Sequence, residues 1–324
     1  MWPAVMWRGD QSMKFRGAKK DLMALAGVVL VFSAMAVFGD NSPDLAPSGK
    51  GNGTLLNPGQ GHDPNGKAGK TAKKGNGINY HGGPLMLGTP KVYYIWYGDW
   101  SGGASGAVGI LEDLAKNIGG SPYYNINTTY YNGSNTKVSN AVDWGGSTTT
   151  NNGYPRGKSL SDSAIQGVVS DAINGNALPK DSNGVYFVLT SSDVTASSGF
   201  CTQYCGWHTY GTIAGSTIKY SFVGNPARCP SACAAQSSGS PNGDIGADGM
   251  ASIIAHELEE AVTDPVFTGW YDTRGYENAD KCAWTFGSTY PAGGGLANMK
   301  LGTRDYLIQR NWVNASGGFC AKSY

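Results

Sequence analysis

The sequence predicts a single α+β domain: a mixed β-sheet, one long helix packed beside it, and a C-terminal half rich in loops and disulfides. Three observations predict it. Between residues 78 and 324, short β-branched and aromatic runs alternate with segments of helical apolar spacing. Charged residues make up only 15% of the chain, while glycine supplies 49 of 324 positions, about twice the usual share. That composition excludes a coiled coil or a charge-rich helical bundle. All six cysteines lie in the last 124 residues, which marks that half as the stapled one.

Residues 1–39 read as a secretory signal. Lys14, Arg16, Lys19 and Lys20 precede an apolar run from Leu22 to Phe38, with Ala34 and Ala36 in the A-x-A arrangement. A membrane anchor fits less well. The run is short of the ~20 residues needed to span a bilayer, and polar glycine-rich sequence follows it. No stable membrane insertion is expected after cleavage. Residues 40–77 form a flexible spacer, with nine glycines and five lysines between Gly49 and Gly77.

The formal net charge of +1 divides unevenly. Residues 1–77 hold ten Lys/Arg and five Asp/Glu, a net of +5. Residues 78–324 hold fourteen and eighteen, a net of −4. An acidic body gives no reason to expect a nucleic-acid partner, and a monomer is expected.

In the body, Val92–Trp96 reads as a strand and 106–118 as an amphipathic helix. Tyr123–Tyr131 and Val138–Trp144 read as extended pieces. Ser161 can cap a helix running to Ile173. Gly184–Thr190 and Ile218–Val223 read as buried strands. Gly249–Thr263 reads as a helix capped by Asp248, and it must stop at Asp264–Pro265 because the residue before a proline is driven out of helical geometry. Trp284, Phe286, Tyr290, Tyr306 and Trp312 are core candidates.

Cys201, Cys205, Cys229, Cys233, Cys282 and Cys320 form an even set behind an export signal, and so read as disulfides rather than a zinc site. Spacing does not choose among their fifteen pairings. The reading adopted is Cys282–Cys320, with the other four bridged among themselves.

The long helix contains the segment AHELEEAVTDP. Residues four apart share a helix face, so His256 and Glu260 point the same way and Glu257 lies beside them. This is the layout of an H-E-x-x-H zinc helix with Glu260 in place of the second histidine. A carboxylate is an acceptable zinc ligand. Glu277 or Asp280 would complete the site, and Glu257 would be the base for a metal-bound water. Asp264 could hydrogen-bond His256 from outside the ligand set. His208 could approach as a further donor, although a loop histidine without a partner is the default. Zinc is the expected ion, and a carboxylate-rich set would also suit calcium or manganese. The competing reading is an exposed acidic helix face.

From Val185 to Cys320 the chain resembles the EXORDIUM / phosphate-induced protein 1 family. The segments FVLTSSDV, FCTQYCGWH, VGNPARCPSAC, PNGDIGADGM, ENADKCAWTFG and GFCAKSY carry the resemblance, and KVYYIWYG matches the family's opening strand. It implies an extracellular, cell-wall-associated protein linked to growth and cell expansion, without an established enzymatic activity. The HELEE helix instead looks like a motif of microbial secreted zincins and implies a bacterial-type member. Two functions are therefore expected in turn. The first is a secreted zincin-like metallopeptidase acting on peptide. The alternative is a non-catalytic extracellular protein bound to wall polymer, with tyrosines and tryptophans stacking on sugars.

Overall fold

The structure is a computed structural model that describes residues 77–101 and 104–324. The signal (residues 1–39) and nearly all of the spacer (residues 40–77) lie outside the described residues. Five strands make the main sheet: β1 Lys91–Tyr97, β2 Asp143–Thr149, β3 Gly184–Thr190, β4 Gly206–Ile213 and β5 Ser216–Val223. Their order across the sheet is β2-β1-β3-β5-β4. The pairs β2–β1, β1–β3 and β3–β5 are parallel, and β4 closes one edge antiparallel to β5. The sheet is mixed, as the sequence predicts.

Burial explains the strand sequences. All seven residues of β3 and the last six of β1 are buried, because parallel strands covered on both faces need near-continuous apolar runs. Three helices provide the cover: α1 Ala104–Asn117, α2 Asp162–Asn174 and α3 Ile245–Thr263. The α2 helix packs on β1, β3 and β5, whereas α1 lies against α3, which rests on β4 and β5. Ser161 caps α2, its hydroxyl accepting from the Ala164 amide at 3.1 Å.

Two extended predictions are corrected. Residues Tyr124–Thr129 form a 3-10 helix. Tyrosine and β-branched residues suggested a strand there, but local bonds to the backbone tighten the turn instead. Thr128 and Thr129 donate to the Asn125 and Ile126 carbonyls at 2.8 Å each. The strand expected at Val138–Trp144 starts only at Asp143, since β2 is a half-exposed edge and lacks an apolar signature.

The α3 helix begins four residues earlier than expected. Asp244 is its cap, accepting from the Ala247 amide at 2.9 Å. Asp248 is turned back onto Asn242, whose amide and side chain donate to it at 2.8 and 2.6 Å. Among the core candidates, Tyr290 is exposed and Trp312 only half-buried, while Trp284, Phe286 and Tyr306 are buried.

The β4–β5 hairpin turns through Ala214 and Gly215, both at positive φ (49° and 74°). A two-residue turn of this kind favours Asn-Gly, and alanine pays a steric penalty in the left-handed region. Ala214→Asn is expected to raise stability by about 0.5–1 kcal/mol. Urea denaturation would show the gain as a higher midpoint at unchanged slope.

The disulfides are Cys201–Cys229, Cys205–Cys233 and Cys282–Cys320, in accord with the reading adopted. The first two are parallel rungs between one pair of segments. Among the described residues, no helix is long and apolar enough to cross a membrane.

Candidate functional site: a buried histidine–carboxylate cluster

The α3 helix is buried on every side. Met250, Ile253, Ile254, Leu258 and Val262 pack into the core, and His256, Glu257, Glu259 and Glu260 are each no more than 1% exposed. HELEE is therefore not an exposed acidic face. Two elements converge on it, so that three build the cluster. Gly206 lets β4 lie flush on α3, because a Cβ there would come within 2.5 Å of Ile253. Two residues further along β4, His208 is buried against the cluster. The third element is the segment carrying Glu277 and Asp280, anchored by Cys282–Cys320 and by the Asn278 side chain, which donates to the Glu259 carbonyl at 3.1 Å.

His256 Nε2 lies 3.0 Å from Glu260 Oε1 and 3.6 Å from Asp280 Oδ1. His208 Nε2 lies 3.2 Å from Glu277 Oε2 and 3.7 Å from Glu260 Oε2. The Asp280 amide donates to Glu260 Oε1 at 3.0 Å, which fixes that carboxylate between helix and loop. Phe267 packs edge-on against His208 at 5.2 Å between ring centres.

The sequence asked for Glu277 or Asp280, and the structure brings in both. His208 is a strand residue with partners, not a free loop histidine. The glycines and exposed polar residues of GWHTYGTI hid that strand, and only its edge alternation (Thr209, Gly211 half-buried; Tyr210, Thr212 exposed) marks it. Asp264 is corrected as well. Its Oδ1 accepts from the Gly269 amide at 2.6 Å, so it fastens the turn after α3 rather than orienting His256.

Electrostatics follow from burial. Desolvation, then the charge of Glu260, pushes the Glu257 and Glu277 carboxyls well above the usual range. Glu260 is raised too, by burial and then by Asp280. Burial pushes His208 down to about 4, so its imidazole is neutral near pH 7. For His256 burial also opposes the charge, but Glu260, Asp280 and Glu257 outweigh it and lift it well above the histidine range. Imidazoles and carboxylates in this arrangement form two donor triplets able to hold a cation: His208, Glu260 and Glu277, and His256, Glu260 and Asp280. A cavity of about 170 Å³ lies elsewhere, lined by Thr148, Thr149, Thr150, Val168 and Asp171, and shares none of these groups.

Comparison with known proteins bears on what the cluster does. Residues 78–302 match the family described as phosphate-induced protein 1 conserved region. Protein EXORDIUM-like 3 of Arabidopsis thaliana is 32% identical over 72% of this chain and 80% of its own length. Protein EXORDIUM-like 5 of the same plant is also 32% identical, over 74% of this chain and 72% of its own. Protein PHOSPHATE-INDUCED 1 of Nicotiana tabacum is 30% identical over 60% and 67%. No solved structure matches. These findings overturn the expectation of a metallopeptidase, since the match over the folded body is to EXORDIUM and phosphate-induced proteins. From its opening strand through its stapled C-terminal half, the chain belongs to the EXORDIUM / phosphate-induced protein 1 family.

Proposed function

We propose that the protein acts outside the cell as a non-catalytic, envelope-associated member of its family, working in growth by binding wall polymer. The observation that supports this reading is the set of exposed aromatic rings on the family fold, while the histidines and carboxylates of the cluster are interior groups. Three disulfides, with no free cysteine among the described residues, support an oxidising compartment.

Among the described residues no tryptophan is exposed, and the open rings are Tyr131, Tyr210, Tyr290, Phe319 and Tyr324. Tyr210 stands on the free edge of the sheet beside Phe267, with ring centres 5.8 Å apart. A rigid amphipathic ring of this kind suits a sugar face.

Co-sedimentation of the purified protein with isolated cell walls tests the proposal. Retention is expected, falling severalfold in a Tyr210→Ala, Tyr290→Ala variant. A protein that stays in the supernatant, yet cleaves a peptide substrate and loses that turnover on Glu257→Gln, would overturn it.

A further inference from the structure

The donors around Glu260 fall into two sets rather than one. Within each triplet the ligand atoms lie within 4.8 Å of one another. That is the separation donors can have around one ion at ~2.0–2.4 Å. Glu260 belongs to both, and it offers a different oxygen to each: Oε1 faces His256 and Oε2 faces His208. A carboxylate shared in this way is the natural bridge between two cations ~3.5–4 Å apart.

A second observation is independent of the spacing. Glu277 Oε1 and Asp280 Oδ1 are buried without a hydrogen-bond partner, as are both oxygens of Glu257. Buried carboxylate oxygens without donors are costly, and native proteins seldom keep several together. The neighbouring cation in sequence does not serve them. Lys281 is held by Asp272 at 3.2 Å and lies over the Trp312 ring at 4.7 Å.

Charge gives the stoichiometry. Glu257, Glu260, Glu277 and Asp280 carry four negative charges when ionised. With both imidazoles neutral as ligands, two divalent cations would neutralise the set, whereas a single one would leave a net negative charge in the interior even with His256 protonated.

We propose that the cluster is a pair of adjoining divalent-cation sites bridged by Glu260, with His208 and Glu277 on one side and His256 and Asp280 on the other. One imidazole and two carboxylates on each side suit zinc or manganese better than calcium. The sites are structural. They tie β4 and the 277–280 segment to α3, three elements far apart in sequence, because the donors of each ion come together only in the folded chain. The assignment concerns the interior only and does not depend on what the surface binds.

The test uses the full purified chain, stripped with a chelator and reloaded with zinc chloride or manganese chloride separately. Elemental analysis should return two equivalents per chain. Glu277→Gln and Asp280→Asn should each reduce this to one, and Glu260→Gln should abolish the pair. Stripping should lower the melting temperature and speed proteolytic cleavage between residues 264 and 282. Wild-type protein decides the matter if a variant fails to fold, because anomalous scattering at the zinc edge should show two peaks flanking Glu260. One equivalent, one peak, or no uptake by folded wild-type protein would overturn the proposal. A chelated protein with unchanged melting would overturn the structural role.

Discussion

Reducing the three disulfides is expected to unfold the domain. Cys201–Cys229 closes a loop of 28 residues, a constraint on the unfolded chain of roughly 3–4 kcal/mol. Cys205–Cys233 spans the same two segments, so with the first bridge present it closes a ring of only about ten residues and adds about 2.7 kcal/mol. Cys282–Cys320 encloses 38 residues and contributes about 4 kcal/mol. The combined effect, on the order of 10 kcal/mol, matches the whole stability of an ordinary domain. Near-UV circular dichroism should therefore collapse in excess dithiothreitol. Replacing only Cys201 and Cys229 by alanine should leave the protein folded but about 3 kcal/mol less stable. A fully reduced protein with a native near-UV spectrum and a melting point within a few degrees of the oxidised form would refute this account.

Truncating Phe222 is expected to cost about 3–5 kcal/mol. The side chain is fully buried on β5 and meets Phe200, Tyr204 and Trp207 at centroid distances of 5.6, 6.3 and 5.9 Å. The rings of Phe200 and Tyr204 sit in the disulfide-bound segment and cannot follow the shrinking side chain, so Phe222→Ala leaves a cavity rather than a collapsed site. Phe222→Leu should recover more than half of the loss. Urea unfolding of both variants checks the ordering. An alanine variant within 1 kcal/mol of wild type would show that this layer repacks freely.

Much of the architecture was legible because its physics is local or nearly so. A fully covered strand such as GVYFVLT must be apolar throughout, and a helix ending at Asp264–Pro265 has a steric reason to stop there. Where polar side chains took over backbone bonding, as in Tyr124–Thr129, the same residue types gave a different element. The β4 strand was missed because an edge strand with glycine at 206 and 211 shows neither apolar continuity nor strong alternation.

The candidate site divides along the same line. Helical periodicity alone puts His256, Glu257 and Glu260 together on α3, four residues being one turn. It does not say whether that turn faces water or the core. Only the tertiary structure decides this, by laying α1, β4 and the 277–280 segment around α3, and burial turns an acidic stripe into a cluster of carboxyls that repel one another. It also brings in His208, 48 positions before His256, and gives both loop acids a place where the sequence could offer only a choice between them. The sequence determined which residue types were available and which lay one helical turn apart. Packing decided which of them meet, because contacts across a sheet edge and a disulfide-pinned loop depend on chain topology that no local pattern encodes.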